Sequence, residues 1–335
     1  MIPCRLPARQ LPVVLPTLAD ELLSSWVGRH ADFYGVSGGQ LLRHYSLEAT
    51  TLRALDLKLT SYDRCQLAHL FRYDPRAICN MTQSRDRPQP AGLIATIRPM
   101  QVCRRCIARH RGESATRGAR LRSWMEGWRI GCPVCGASMT DARPLDLLTR
   151  ADPTTALLVS LAEPARQGEQ MMTRATRQGR RGNPFVVLMR SLLLPRASPV
   201  RGASLGDEIP RLLDMILPGF DRFLHRSFPG FRRPGTLLLP LSIRIPVLAG
   251  VACVASQPDH WAESLLGAVP EVARSPLAQC LKDCRPAGFG VQSGGVRQGK
   301  FAFIAAKLRN SRHGFLVPKG NIDHLRALFS LQTAT

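Results

Sequence analysis

Four cysteines in two pairs are the residues of this sequence best suited to chemistry. Cys103 and Cys106 enclose two residues, Cys132 and Cys135 enclose two more, and 25 residues separate the pairs. A two-residue spacer lets both sulfurs of a pair reach one ion, and four thiolates match the tetrahedral coordination of Zn²⁺ in structural sites. The pattern therefore predicts one Zn²⁺ per chain. Disulfides or unmodified core thiols are less favoured, because nothing else in the sequence indicates an oxidising compartment.

Arginines dominate the segment from 103 to 135, which holds eight of them and only two acids. Arginine suits bidentate contacts with phosphate and guanine, so these side chains face either a nucleic acid or solvent. Trp124 and Trp128 are four residues apart, which predicts one helical face in the small core of this segment. The candidate nucleic-acid-binding residues, including three further along the chain, are Arg104, Arg105, Arg117, Arg120, Arg177, Arg180 and Arg181.

The composition favours a polyanionic partner. The 335 residues carry 46 Lys and Arg against 24 Asp and Glu, which gives a net charge of +22 and a pI near 10.9. A field of this sign attracts nucleic acid or an anionic membrane. The excess of arginine over lysine is weaker support, because a GC-rich genome produces the same bias.

Neither a catalytic motif nor a membrane segment is indicated. The sequence has no Walker-type phosphate loop, no His-Glu-x-x-His and no Gly-x-Ser-x-Gly, so we expect no enzymatic activity. Residues 236–255 are mostly apolar, but Arg244 lies near the middle between Pro240 and Pro246. A central arginine is costly in lipid, so a buried core segment is the better interpretation. The N-terminus also lacks the apolar run of a signal peptide, and we expect a cytoplasmic protein without a membrane contact.

The spacing of apolar residues predicts a mainly α-helical protein. A capping box of Thr17 and Asp20 is expected to open the first helix, and Ser37 with Gln40 the second. Ser61 is expected to cap a third helix, and Asp74-Pro75 to start a fourth. The helices 61–71 and 75–81 could form a helix-turn-helix, although two packed helices of any small bundle would give the same pattern.

Changes in composition divide the chain into seven segments. The expected fold has an N-terminal helix-turn-helix-like domain, one zinc finger and a C-terminal helical domain. The segments are an extended arm (1–16), the helical domain (17–82), a linker (83–99), the zinc finger (100–140), a helical segment (141–169), a basic linker (170–206) and the C-terminal helical domain (207–335). Within the last, Cys280 and Cys284 are expected as core thiols, with a second metal site as the less favoured alternative.

The order of motifs over residues 11–140 resembles the TniQ family of bacterial transposon proteins. The matching runs are 11–16 (Leu-Pro-Val-Val-Leu-Pro), 20–26, 34–37, 41–44, Met81-Thr82, 102–106 and Cys132-Pro133. In the family the second cysteine pair is often Cys-Pro-x-His and is usually followed by another Cys-x-x-Cys. Here Cys135 takes the place of the His and residues 136–160 contain no cysteine. The resemblance therefore implies the first zinc site alone.

The resemblance implies a function in transposition. Family members select the target site, either by binding DNA or by docking on a CRISPR effector complex, and work with a transposase and an ATPase. It implies for this chain a non-catalytic DNA-binding or adaptor subunit. Two alternatives remain: a transcription regulator whose helices 61–81 read an operator, and an adaptor that binds protein or ribonucleoprotein without reading DNA. A homodimer is also left open.

Overall fold

The computed structural model describes residues 10–83, 92–95, 98–142, 158–178, 183–197, 210–228 and 238–284. It confirms a mainly helical protein with one cluster of four cysteines among these residues. The elements, in chain order, are α1 (Leu23–Phe33), α2 (Gly38–His44), α3 (Leu52–Leu57), α4 (Ser61–Leu70), α5 (Pro75–Asn80), β1 (Gln101–Val102), α6 (Arg104–Gly112), β2 (Thr140–Asp141), α7 (Ala162–Arg177), α8 (Pro184–Leu192), α9 (Leu212–Ile216), α10 (Phe220–Ser227), α11 (Leu241–Ser256), α12 (Pro258–Ala268) and α13 (Glu271–Asp283).

Helices α1 to α5 form an N-terminal lobe around Trp26 and Phe71, whose ring centroids are 4.4 Å apart. The predicted caps of α2 and α5 are present. Ser37 and Gln40 form the capping box, and the carboxylate of Asp74 accepts hydrogen bonds from the first turn of α5. Helix α4 begins at Ser61, but its cap is the preceding residue, Thr60.

The predicted capping box of Thr17 and Asp20 does not form. Helix α1 begins at Leu23 without a side-chain cap. Asp20 has a left-handed backbone, with φ of 62°, and its carboxylate accepts a hydrogen bond from the backbone N–H of Ser123, 3.0 Å away. The carboxylate is thus used by a residue distant in sequence, which is why the local pattern misplaced the helix start.

Helices α7 to α13 form a C-terminal lobe built around the apolar helix α11. Among the described residues no single helix is both long and apolar enough to cross a membrane; α11 and α12 satisfy that test only together, and they meet at an angle of 117°. Most of α11, including Arg244, is buried in the lobe. Helix α7 crosses α11 closely at Gly168, where an added Cβ would lie 2.2 Å from the carbonyl oxygen of Leu248.

Part of the segment predicted to be a basic linker, residues 170–206, is helical. Helix α7 continues through Arg177, and α8 spans Pro184–Leu192. The reason is a buried stripe at helical spacing that includes Ala165, Met172 and Ala175. Exposed arginines lie between these apolar residues, so the charge of the segment indicated a basic linker and the helical pattern was missed.

Residues 98–142, called here the finger segment, lie between the two lobes. Strands β1 and β2 pair antiparallel, and α6 follows the first cysteine. The two tryptophans do not share a helical face: Trp124 lies in a 3₁₀ helix, Arg122–Met125, and packs with the cysteines, whereas Trp128 packs into the core of the C-terminal lobe. Each indole therefore stabilises a different core.

Several sequence predictions fall outside the described residues. These are the arm before residue 10, most of the linker 83–99, the helix expected to start at Asp152-Pro153, the residues Arg180 and Arg181, and the tail after residue 284. The segment boundaries as a whole stay a prediction.

Candidate metal centre and arginine face

The four predicted cysteines come together in one cluster. Their Sγ atoms all lie within 4.8 Å of one another. The Sγ–Sγ distances are 3.4 Å for Cys103 and Cys135, 3.6 Å for Cys106 and Cys132, and 3.7 Å for Cys106 and Cys135. A Zn–S bond of about 2.3 Å in a tetrahedron places neighbouring sulfurs about 3.8 Å apart. The donor set therefore fits Zn²⁺, and the distances are too long for disulfide bonds.

Local backbone geometry presents the thiols. Cys103 immediately precedes α6, so Cys106 comes back to the same point within the first helical turn. At the second pair the backbone N–H of Cys132 donates to the carbonyl of Ala137 and Gly136 donates to that of Cys132, at 2.8 and 2.9 Å. Gly136 has φ of 72°, which favours glycine. Both pairs are thus tight turns that hold two sulfurs on one side.

The thiols differ in acidity in the absence of a metal. Burial raises the pKa of Cys106 well above its ordinary value. Burial also acts to raise the pKa of Cys135, but hydrogen bonds from the Ala137 backbone and from neighbouring thiols lower it to about 7. Because thiolates are the ligands, a metal that binds here must displace protons, and its affinity must fall in acid.

A set of contacts around one buried carboxylate connects the finger segment to the N-terminal lobe. We call such a set of contacts a joint. The buried carboxylate of Glu21 binds the guanidinium of Arg29 at 2.7 Å and also accepts from Ser25 Oγ and the backbone N–H of Leu18. Arg29 in turn donates to the carbonyl of Ala115 in the finger segment. A backbone bridge between Glu21 and Leu121 completes this joint. The finger segment is therefore fixed against α1.

A second joint connects the finger segment to the C-terminal lobe through Arg244. This side chain is fully buried, and it donates to Gln101 Oε1 and to the carbonyls of Arg129 and Leu239. Burial lowers its pKa to about 10, while Asp141 and Glu169 oppose that shift. Arg244 is therefore charged at neutral pH, although most of its direct partners are neutral oxygens.

Two carboxylates strengthen the second joint. Asp141 accepts from the backbone N–H of Leu241 at the start of α11, at 3.1 Å. Glu169 of α7 binds Arg129 at 3.4 Å and the backbone N–H of Gly131 at 3.2 Å. Burial would lower the pKa of Arg129, but Glu126 and Glu169 together raise it. Metal centre and both lobes thus belong to one continuous set of contacts.

Apart from Arg122 and Arg129, which bind carboxylates, the finger segment has seven arginines, and all seven are exposed. Arg98 precedes the cysteines, and the six that follow Cys103 make no ion pair with any carboxylate in the part of the chain that the structure describes: Arg104, Arg105, Arg109, Arg111, Arg117 and Arg120. Four of these were predicted as nucleic-acid-binding residues; Arg109 and Arg111 were not in that set. We call these six residues the arginine face. Predicted Arg177 is exposed but belongs to α7, outside the finger segment.

Residues 12–149 match the model of the TniQ family. This part of the chain is a TniQ domain. The resemblance read from the cysteine pairs and the N-terminal motifs is thereby confirmed over a range that includes the N-terminal lobe, both cysteine pairs and the arginine face. No curated protein and no solved structure matches the chain.

The TniQ match ends before α7, so the helices of the C-terminal lobe lie outside it. TniQ domains are associated with proteins that select target sites for transposition. Within the TniQ domain, sequence reasoning found the four cysteines that come together in one cluster, but it missed the joint residues Glu21 and Arg29. The available signal was an acid eight residues before an arginine and two residues before a helix, but this pattern is too common to be diagnostic.

Proposed function

We propose that this protein is a non-catalytic subunit that selects the target site for transposition of a mobile genetic element. In this proposal it binds DNA through the arginine face and holds transposition proteins on other surfaces. The observation that carries the proposal is a TniQ domain whose finger segment presents six exposed arginines. The partners would be a transposase, an ATPase or a CRISPR effector complex, and the compartment the cytoplasm.

The electrostatics of the finger segment support phosphate contact. None of the three acids of the finger segment forms an ion pair with the arginine face in the described structure: Glu126 pairs with Arg129 at 2.6 Å, Asp141 accepts from the backbone N–H of Leu241, and Glu113 lies at the end of α6. The arginine face thus keeps its charge available for a partner. Guanidinium groups bind phosphate with two parallel hydrogen bonds, and each neutralised phosphate releases counterions.

The chemistry of the cysteine cluster supports a structural metal. Cys103, Cys106, Cys132 and Cys135 would hold Zn²⁺ with all four positions filled. Such a site stabilises the fold and leaves no open position for a water molecule or a substrate. This arrangement supports a subunit that acts by binding and not by cutting or joining DNA.

A second candidate function is transcription regulation, and one observation favours it. Helices α4 and α5 pack together across a four-residue connection, and α5 exposes Arg76 and Asn80, residue types that can read base edges. Helix α5 is only six residues long, however. The TniQ match favours transposition, in which the same helix pair could read the target sequence.

The proposal is tested by mapping insertion sites genome-wide in cells that contain the whole transposition system. Three strains are compared with the wild type: a deletion of this gene, a finger variant (Arg104, Arg105, Arg117 and Arg120→Gln) and a control at three exposed arginines of other helices (Arg43, Arg222 and Arg274→Gln, on α2, α10 and α13). We expect the deletion and the finger variant to lose or scatter insertions and the control to behave as the wild type.

Unchanged insertion frequency and distribution in the deletion strain would contradict the proposal. Cleavage of DNA by the purified protein with added Mg²⁺ would contradict its non-catalytic part. If the deletion scatters insertions but the finger variant does not, the protein selects the target through a docking surface, and the adaptor reading replaces DNA contact by the arginine face.

A further inference from the structure

Helix α7, outside the TniQ domain, carries a second row of exposed arginines. Arg166, Arg174 and Arg177 are exposed, as is Gln170 between them. Their spacings of four, four and three residues place all of them on one side of an α-helix. We call these four residues the α7 stripe. At a rise of about 1.5 Å per residue, the α7 stripe is about 16 Å long.

The charge of the α7 stripe is almost uncompensated. The only exposed acid on α7 is Glu163, whose carboxylate lies 3.9 Å from Arg166. The other acid of this helix, Glu169, is buried and used by the joint with the finger segment. In the sequence, no acidic residue occurs between Gln170 and Gly206. The end of the stripe with Arg174 and Arg177 is therefore strongly positive.

The α7 stripe is presented on a rigid support. The opposite side of α7 packs on α11, with Gly168 allowing the close crossing at Leu248. Toward the finger segment, the indole N–H of Trp128 donates to Thr173 Oγ1 at 3.2 Å, and Glu169 binds Arg129. The stripe therefore holds a fixed position relative to the TniQ domain and loses little backbone freedom on binding.

These observations favour a long, regular polyanion as the partner. A straight row of guanidinium groups matches a row of phosphates, and duplex DNA presents one charge per about 1.7 Å of its axis. No exposed residue of α7 itself is apolar, so this helix has nothing to insert into a lipid bilayer. A protein partner would ordinarily require an apolar centre in the interface, which the α7 stripe lacks.

We propose that the α7 stripe is a second contact surface for the sugar-phosphate backbone of duplex DNA, outside the TniQ domain. The proposal rests on the DNA-binding part of the proposed function. It extends the footprint of the protein on DNA beyond the arginine face, and it contributes affinity without reading sequence, because phosphates are the same at every base pair.

The test measures binding of the full-length protein to a fluorescent random-sequence duplex by anisotropy over a series of salt concentrations. A stripe variant (Arg166, Arg174 and Arg177→Gln) is compared with the control variant (Arg43, Arg222 and Arg274→Gln), which loses the same number of charges. Each lost phosphate contact lowers the slope of log affinity against log salt by about 0.9, so we expect the stripe variant to lose about 2 to 3 from the slope. The control should lose much less.

A second set of measurements separates binding from structure. Arg174 and Arg177 also lie near the C-terminus of α7, where positive charge stabilises the helix dipole. Replacement of the three stripe arginines by Lys keeps that charge and should keep most of the salt slope. A stripe variant with a lower melting temperature but the slope of the control would overturn the proposal and assign the arginines to helix stability.

The outcomes also distinguish this proposal from the proposed function. If the finger variant loses salt slope and the stripe variant does not, the α7 proposal is wrong and DNA binding by the TniQ domain stands. If wild type and all variants bind the duplex equally weakly at low salt, both are wrong. Loss of binding to an acidic protein partner, with DNA binding intact, would also overturn the α7 proposal.

Discussion

The finger segment contains two kinds of arginine that its sequence does not distinguish. Arg122 and Arg129 bind carboxylates of Asp20, Glu126 and Glu169 and are mostly buried. The six residues of the arginine face reach solvent instead. The difference is set by the acids, because each inward arginine has a carboxylate from another part of the fold beside it. Within one arginine-rich segment, the arginines that meet a carboxylate therefore hold parts of the fold together, and those that meet none stay exposed and charged.

The two joints of the finger segment differ in the charge of the groups that bind the buried arginine. Toward the N-terminal lobe, buried Glu21 and Arg29 form an ion pair with further hydrogen bonds. Toward the C-terminal lobe, the direct partners of Arg244 in the finger segment are a side-chain amide and a carbonyl, with Asp141 and Glu169 acting at longer range. In each joint the arginine lies in a helix of the lobe, Arg29 in α1 and Arg244 in α11.

The largest expected effect tests whether the metal supports both joints. Cys132→Ser should abolish metal binding and unfold the finger segment, because structural zinc contributes folding free energy, of about 10–16 kcal/mol in isolated finger peptides. Tryptophan fluorescence should shift, since Trp124 packs with the cysteines. Metal content is measured by elemental analysis, with Cys65→Ser, an exposed cysteine, as the control.

Wild-type protein expressed in the cytosol should contain one zinc per chain and the control the same. Protein without any zinc would contradict the metal centre. Two zinc ions per chain would point to a further site and revive the pair Cys280 and Cys284, whose thiols are buried in the C-terminal lobe.

A smaller effect is expected from Arg244, the buried arginine of the second joint. Arg244→Met removes the donor to Gln101, Arg129 and Leu239 and leaves buried acceptors without partners. At about 1–3 kcal/mol for each orphaned group, the free energy of unfolding should fall by roughly 3 kcal/mol or more. Urea denaturation measures this, and Arg222→Met, at an exposed position of α10, should cost less than about 0.5 kcal/mol. Equal stabilities would show that the second joint contributes nothing.

A pH effect is expected in the N-terminal lobe. Buried His30 accepts a hydrogen bond from Leu15 N–H through Nε2, and its Nδ1 lies 2.8 Å from the carbonyl oxygen of Trp26. Burial lowers its pKa from 6.5 to about 4, so the folded protein holds the neutral ring. A lowered histidine pKa stabilises the fold above pH 6.5, and that stability is lost as the pH falls toward 4.

The measurement is the melting temperature between pH 7 and pH 5, a range close to the ordinary histidine pKa of about 6.5. His30→Gln should be less stable at pH 7 and should lose part of the decline that the wild type shows. An identical decline of the melting temperature in both proteins would show that His30 does not cause it. His110 of the finger segment, whose pKa burial also lowers, should cause part of the decline that remains in the His30→Gln variant.

Local signals predicted much of this molecule. The cysteine spacing predicted the cluster of four thiols, and Ser37 with Gln40 and Asp74 with Pro75 predicted two helix starts, because the spacing within each cysteine pair and the contacts of each cap lie within a few residues. The resemblance to the TniQ family rested on the same kind of local motif.

The long-range part could not be predicted from the sequence. Asp20 fits a helix cap by its spacing, but its carboxylate binds Ser123, 103 residues further along the chain. Arg244 was recognised as unfit for a membrane, yet nothing near it in sequence identifies Gln101 as its partner. The buried apolar residues of α7, such as Ala165 and Met172, were hidden by the exposed arginines between them. In the first two cases the polar group that decides the outcome comes from another segment.

The central claim is that Arg122 and Arg129 hold the fold together while the arginine face is left to bind DNA. Its most direct test is the salt dependence of DNA binding by the finger variant. Arg104, Arg105, Arg117 and Arg120→Gln should leave the melting temperature nearly unchanged and reduce the slope of log affinity against log salt by up to about 3.6, at about 0.9 for each lost contact. The control variant at Arg43, Arg222 and Arg274 should keep most of the slope. A finger variant that keeps the wild-type slope, or that loses its fold, would contradict the claim that these arginines are free to bind DNA.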